Sequence, residues 1–488
     1  MTKIKVDSKA AFQAGLDRRL KAAGDDSIRH FAWYFFADLS LTDLNQRQWE
    51  DVTKSVQSSW KFYKGFKGDK PQIRVVPGTD TTLVIEVAST NLPFLLDSIR
   101  MELSRRGLVL ADVQQCLMGV LRKGRKLLIS EEADINESLI RLEIDSAGAP
   151  ADLAKSVARV IELVSQVMAD FALMRKQLLL WSDDFEFNID RPTAAVMNLN
   201  ADPGYELLKW FYSNNFTFLG YEEFKPTKAG KLQLVAKSRL GLARAGKSAD
   251  GLPMTPSTRS INIEKLPVRS RVHRPAYLDA ITVCERKGKN VVRACRFMGL
   301  FTASVYNQNP VEIPVIRQKI AEIFTRSDVV GSSHRGRELS RIIEILPREE
   351  LFFSSGEQLH HLVTQIFSLQ ERRIVRLFVR QDTYFANCIV YSPRETYNTA
   401  FRIQMQNILI EAFKAEDMEF SAYFSESALI RTHFILRLSR SIEPDIEGLE
   451  NRITELTRSW ADKLQELLFT QHEADEAQRL FQIYSKAF

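Results

Sequence analysis

The spacing of apolar residues changes period within residues 82–108. Leu83, Ile85 and Val87 fall on one face at a two-residue repeat, whereas Leu92, Leu95, Leu96, Ile99 and Leu103 recur at helical steps. The first spacing predicts a strand and the second an amphipathic helix. The change falls at Asn91-Leu92-Pro93, where Asn is expected to cap the helix and Pro to sit in its first turn, where no N–H is needed. Strands are then predicted over 108–121, 127–129 and 138–144. A second helix follows over about 150–171, with Leu153, Val157, Val160, Ile161, Val164, Val167, Met168 and Phe171 on one face. Residues 176–181 suit either a closing edge strand or an extension of that helix.

Residues 1–75 read as a helical segment with two aromatic clusters, HFAWYFFADL at 30–39 and Trp60, Phe62, Tyr63 and Phe66, which predict core or interdomain packing. GDKPQIRVVPGTD is turn-rich and opens a new part, read as a unit over 76–182. After the linker NIDRPTAAVMNLNADPG, a helix over 205–212 leads into strand-like stretches, NFTFLGYEEF, LQLVAKS, AYLDAITVCERK and NVVRACRFMGLFTASVY. A basic, turn-prone excursion over 244–274 interrupts them, so 200–310 is expected to be a mixed sheet with loops. Helices dominate 311–370, with a break around 329–336. Sheet patterning returns over 371–440; counted with the preceding helix its order is αββαββ. Over 441–488, Ile446, Leu449, Ile453, Leu456, Trp460 and Leu467 step alternately by three and four with a polar break at Lys463. That spacing suits either a seam for another helix or an amphipathic surface helix, and the seam predicts self-association.

A chain of 488 residues is too long for one hydrophobic core, so about three or four domains are expected. With 45% hydrophobic and 26% charged residues, the composition is that of an ordinary globular protein. The net charge of +6 is a small excess of 67 basic over 61 acidic residues, which gives no reason to expect nucleic acid as a partner. Cys116, Cys284, Cys295 and Cys388 are scattered without metal-type spacing, so neither zinc nor a disulfide framework is indicated. No uncharged apolar run approaches the about 20 residues of a membrane span. A reducing, cytoplasmic setting with no membrane contact is expected.

Several enzyme signatures are missing: there is no G-x-G-x-x-G after a strand, no G-x-S-x-G and no HExxH. No catalytic residue, metal ligand or cofactor-binding residue is therefore assigned. KLPVRSRVHRPAY, with Lys265, Arg269, Arg271, His273 and Arg274, could hold a phosphate or carboxylate, because guanidinium forks bind such anions bidentately; Arg271, His273 and Arg274 are the candidates. In LQERRIVRLFVRQD, Glu371, Arg372, Arg373, Arg376 and Arg380 flank a strand and read as its wet face. His360 and His361 are neighbours on a helix, so they point to different faces and do not share a metal.

Seven stretches, in order, resemble one family: NLPFLLDSIRMELSRRGL, NFTFLGYEEF, SRLGL, VHRPAYLD, RFMGLFTASVYNQNPVEIPVIRQKI, LQERRIVRLFVRQD and VYSPRETYNTAFRIQMQ. The chain resembles the N-terminal, non-catalytic region of the large bacterial NAD-specific glutamate dehydrogenases. The resemblance implies an α+β, multidomain fold with ferredoxin-like, ACT-type βαββαβ units at 76–182 and 371–440. It also implies a PAS-like mixed-sheet part at 200–310, and a helical connector at 441–488 toward a catalytic region. It further implies a regulatory and oligomerising role, a homo-oligomer, a possible amino-acid effector, and NAD bound by the parent enzyme rather than by this chain. An effector would sit at the turn Asn91, Leu92, Pro93 and Phe94, its carboxylate on the helix N-terminus. Where ACT domains that bind amino acids usually have a small residue, this chain has Phe94, which suits assembly more than binding. Two other readings stand beside this one: a stand-alone ACT-type amino-acid sensor, and an enzyme with an unfamiliar site around His273 and Arg274.

Overall fold

A computed structural model of the chain describes residues 3–21, 26–78, 81–123, 126–130, 133–188, 203–228, 230–245, 260–288, 290–369, 372–458 and 460–485. The architecture is α+β and multidomain, built on three sheets in which every recorded pairing is antiparallel.

The first sheet has five strands, Gln72–Pro77, Thr82–Thr90, Leu110–Lys123, Lys126–Ile129 and Ile135–Asp145. Alternation along the strands divides two cores. Ile85, Val87, Ile140, Leu142 and Ile144 face the helices Leu95–Arg105 and Leu153–Asn188. Ala88, Cys116, Met118, Val120 and Leu139 face the other way, onto the N-terminal helices Lys9–Leu20, Asp26–Phe35 and Trp49–Lys64. There Phe31, Trp60, Tyr63 and Phe66 form a chain of ring contacts, so the aromatic clusters are core. The buried Glu86 on this face is held by Ser59 and Arg74, and the Tyr63 hydroxyl donates to Glu137 at 2.5 Å.

In this unit one open expectation is settled and another is overturned. Residues 176–181 are helical rather than a closing strand, because the helix Leu153–Asn188 has two partners. Its first half covers the first sheet, and Met174, Leu178 and Trp181 continue onto the central sheet. The edge position beside Thr82–Thr90 is instead taken by Gln72–Pro77, in register from Gln72↔Ala88 to Pro77↔Leu83. The segment read as turn-rich therefore supplies a strand.

The central six-stranded sheet comprises Phe216–Pro226, Leu232–Leu234, Leu240–Gly241, Ile261–Arg269, Tyr277–Lys287 and Asn290–Phe301. It is antiparallel rather than mixed, and part of the stretch read as a turn-prone excursion is the strand Ile261–Arg269, which pairs with Tyr277–Lys287. Residues 246–259 of that stretch, and most of the linker, lie outside the described residues. Gly241 is required where it stands, since φ is +58° and a Cβ would lie 2.3 Å from the Leu219 carbonyl oxygen. Its N–H donates to Asp170 of the long helix at 2.8 Å, and Arg244 binds the same carboxylate through two nitrogens at 2.6 and 3.0 Å. Trp181 Nε1 donates to the Tyr221 hydroxyl at 2.9 Å. The long helix thus fastens the first unit to the central sheet.

The helices Ile316–Ser327, His334–Ile345, Arg348–Phe353 and Gly356–Ser368 share a core with the central sheet, where Phe301 and Phe352 stack at 4.5 Å. The last sheet has four strands, Arg376–Gln381, Phe385–Pro393, Asp417–Tyr423 and Leu429–Arg437. Its helices are Thr399–Phe413 and Ile446–Thr457; Leu449 and Ile453 bury among Phe401, Met405, Leu409 and Phe413. The helix Gly356–Ser368 belongs to the central core instead. The order is therefore ββαββα, not αββαββ, and it is the order of the first unit too. Numbering the four main strands of each unit in sequence, both sheets run 1-2-4-3. The predicted seam is divided as well: the chain is extended at Arg458 (φ −69°, ψ 126°), Leu449 and Ile453 are intramolecular core, and Trp460 and Leu467 are exposed. No helix among the described residues is long and apolar enough to cross a membrane.

Candidate functional site

The two candidate segments from the sequence meet in space. The helix over Leu95–Arg105 starts from Phe94, which takes φ 66° and caps it without a side-chain hydrogen bond. Asn91 does not cap: its N–H donates to the Asn136 carbonyl at 2.9 Å, and Pro93 lies in the turn before the helix. The reason is the left-handed residue, which moves the helix start past Pro93. Ser98 fills the capping turn, its hydroxyl donating to the Phe94 carbonyl at 2.6 Å and accepting from the His273 N–H at 3.0 Å. The His273 ring lies 4.4 Å from the Phe94 ring. The Phe94 end of the turn proposed for an effector carboxylate thus packs against the central sheet's loop, while Asn91 and Pro93 stay exposed.

Beside this contact a cleft of about 630 Å³ opens between the helix Leu95–Arg105, the long helix and the 268–278 stretch of the central sheet. Glu102 forms one wall. It accepts from Arg105 at 2.7 and 2.8 Å, from Arg106 at 2.9 Å and from Ser156 of the long helix at 2.5 Å. Burial alone would raise its pKa, but the hydrogen bonds from Arg105, Ser156 and Arg106 outweigh it and hold the carboxyl at about 2. Glu102 is thus a fixed anion and an unsuitable general base. Burial, aided by Arg274, lowers the pKa of His273, whose ring is neutral at pH 7.

The basic run divides by partner. Lys265 pairs with the buried Asp279 at 2.9 Å. Arg269 reaches Asp417 at 2.8 and 2.9 Å and Glu419 at 2.6 Å, which ties the loop to the last sheet. Arg274 donates to the Phe301 carbonyl at 2.9 Å. Arg271, and Arg159 across the cleft, are exposed and have no recorded ion pair or hydrogen bond among the described residues. The cleft therefore offers free guanidinium groups, a hydroxyl and apolar walls, and no nucleophile–base pair. That set can hold an anion.

The other basic segment is largely paired: Arg373 with Glu395, Arg376 with Glu450, and Arg380 with the buried Glu350 at 2.9 Å. Glu371 lies outside the described residues. His361 contacts Gln365 at 3.2 Å, and no group of three metal-capable side chains occurs among the described residues. The four cysteines are buried and unpaired. Sequence reading missed Ser98 and Glu102. Their signal is weak, since both look like polar positions of an amphipathic helix.

Sequence comparison places this geometry. The family described as "Glutamate dehydrogenase, ACT1 domain" matches residues 31–160, "Glutamate dehydrogenase, helical motif 1" matches 313–372, and "Glutamate dehydrogenase, ACT2 domain" matches 376–461. The NAD-specific glutamate dehydrogenase of Pseudomonas aeruginosa is 37% identical over 503 residues, covering 94% of this chain. By sequence, the chain is similar to glutamate dehydrogenase domains and, along most of its length, to NAD-specific glutamate dehydrogenases. The Halomonas elongata enzyme is 33% identical over 93% of the chain, and that of Mycobacterium tuberculosis 30% over 78%. The matched stretches span 31%, 30% and 25% of those relatives' lengths. The ACT2 match takes in Ile446–Thr457, the helix that the structure packs on the last sheet.

Proposed function

We propose that this chain is a regulatory and assembly region, itself non-catalytic, of a longer cytoplasmic NAD-dependent glutamate dehydrogenase. The parent would convert L-glutamate, NAD and water to 2-oxoglutarate, ammonia and NADH. The observation that carries this reading is the pair of ACT-type units with the same 1-2-4-3 sheet order, in a chain with no dinucleotide fingerprint. ACT units serve here as ligand-responsive and assembly modules, and NAD belongs to other parts of the parent. The regulatory ligand would be an amino acid whose carboxylate meets Arg159 and Arg271 in the cleft beside Ser98. Because Arg269 joins the same loop to Asp417 of the last sheet, occupancy there can be felt by both units.

The test is a calorimetric titration of the purified chain with NAD, an assay for NADH formation from glutamate, and a thermal-shift screen of the common amino acids. No NAD binding and no turnover are expected, with stabilisation by an amino acid that is lost in Arg271→Gln. Saturable NAD binding or glutamate oxidation by the chain overturns the non-catalytic reading.

A further inference from the structure

A second cavity lies on the face of the last sheet that its own two helices leave uncovered. Tyr391 and Arg431 are register partners on the neighbouring strands Phe385–Pro393 and Leu429–Arg437, so their side chains share that face. Both are more than nine-tenths buried, at 6% and 9% exposure. Both line a cavity of about 670 Å³ walled by the helices His334–Ile345 and Gly356–Ser368. Arg431 also lines an adjoining cavity of about 440 Å³. Its guanidinium lies 4.9 Å from the Tyr423 ring, and its Nε and Nη1 have no hydrogen-bond partner; neither has the Tyr391 hydroxyl.

Buried donors without acceptors are costly, and a site that leaves several of them converging is poised for an acceptor-rich group. Burial, only partly opposed by Arg431, pushes the Tyr391 phenol up to about 12, so at neutral pH it keeps its proton and can donate. The free groups are thus a cation and a hydroxyl donor, which selects an anion. Ile342, Ile345, Ile366, Phe367 and Leu429 supply an apolar wall beside them. We propose that Arg431 and Tyr391 form the anchor of a binding site for a small carboxylate with a short apolar body, held between the last sheet and the central helices. The carboxylate would bridge the Arg431 fork and the Tyr391 hydroxyl, and the body would lie on the isoleucines. This site is separate from the Arg159–Arg271 cleft and does not depend on the regulatory reading.

The experiment is calorimetry and thermal shift on the full chain with three probes that share a 3-methylbutyl skeleton: 4-methylpentanoate, leucine and 3-methylbutylamine. The expected result is saturable binding of one or both carboxylates and none of the amine. Binding of 4-methylpentanoate assigns the site to simple carboxylates, and binding of leucine alone assigns it to amino acids. Arg431→Met should abolish binding. Tyr391→Phe, which removes only an unpaired hydroxyl, should weaken it about tenfold, with the ligand-free melting temperature unchanged or higher. Should Arg431→Met fail to fold, the Tyr391→Phe pattern decides. Arg271→Gln leaves binding here intact, which separates this site from the cleft. The proposal fails if neither carboxylate binds, if the amine binds as well, or if Tyr391→Phe binds like the unsubstituted chain.

Discussion

The rings of Phe94 and His273 lie 4.4 Å apart, and both residues hold a positive φ, 66° and 76°. Non-glycine residues in that region carry backbone strain of roughly 1–3 kcal/mol each, kept only when the surroundings impose it. Here the imposed contact joins the first unit to the central sheet through the Ser98 hydroxyl. A double-mutant cycle with Phe94→Gly and His273→Gly isolates the ring contact, since relief of strain enters each single variant and cancels. The expected coupling is about 0.5–1.5 kcal/mol in urea unfolding. Additive effects would mean that the rings touch without stabilising the junction.

Leu449 and Ile453 are core to the last unit, whereas Trp460 and Leu467, 45% and 52% exposed, are not. Leu449→Ala is expected to destabilise by about 2–5 kcal/mol, leaving the assembly state of the remaining folded protein unchanged. Trp460→Asp with Leu467→Asp should change stability by no more than about 0.5 kcal/mol each. If the C-terminal helices join copies of the chain, that pair shifts sedimentation toward monomer. A wild-type chain that sediments as a monomer at all concentrations removes the assembly role from these helices.

Where periodicity was long and unbroken, the sequence was enough to locate the elements. The strand at 82–90, the helix after it and the face of the long helix all follow from apolar spacing. The errors fall where a neighbour decides. Gln72–Pro77 is half-buried along its length and carries turn residues at both ends, so only its pairing with Thr82–Thr90 makes it a strand. The seam from Ile446 looked intermolecular because its partner, Thr399–Phe413, is remote in sequence. Likewise the meeting of Phe94 with His273 spans the first unit and the central sheet, and neither segment carries a local sign of the other. Tyr391 and Arg431 escaped notice for the same reason: each reads as one polar residue on a strand, and only the register places them side by side.

Glu102 provides a pH-dependent test of how the cleft wall is held. Its side chain joins the helix Leu95–Arg105 to the long helix through Ser156, with Arg105 and Arg106 completing its partners. Its pKa, ordinarily 4.5, is held at about 2 in the folded chain. A depressed folded-state value means that the stabilisation is fully present above about pH 4.5 and is lost as pH falls toward 2. Glu102→Gln should therefore cost roughly 1–3 kcal/mol at neutral pH, the range for a buried hydrogen-bonding group that loses its partners. The gap between the variant and the unsubstituted chain should close between pH 4.5 and 2, as measured by urea unfolding at a series of pH values. A gap that stays constant across that interval would show that the charge on Glu102 does not fasten the two helices.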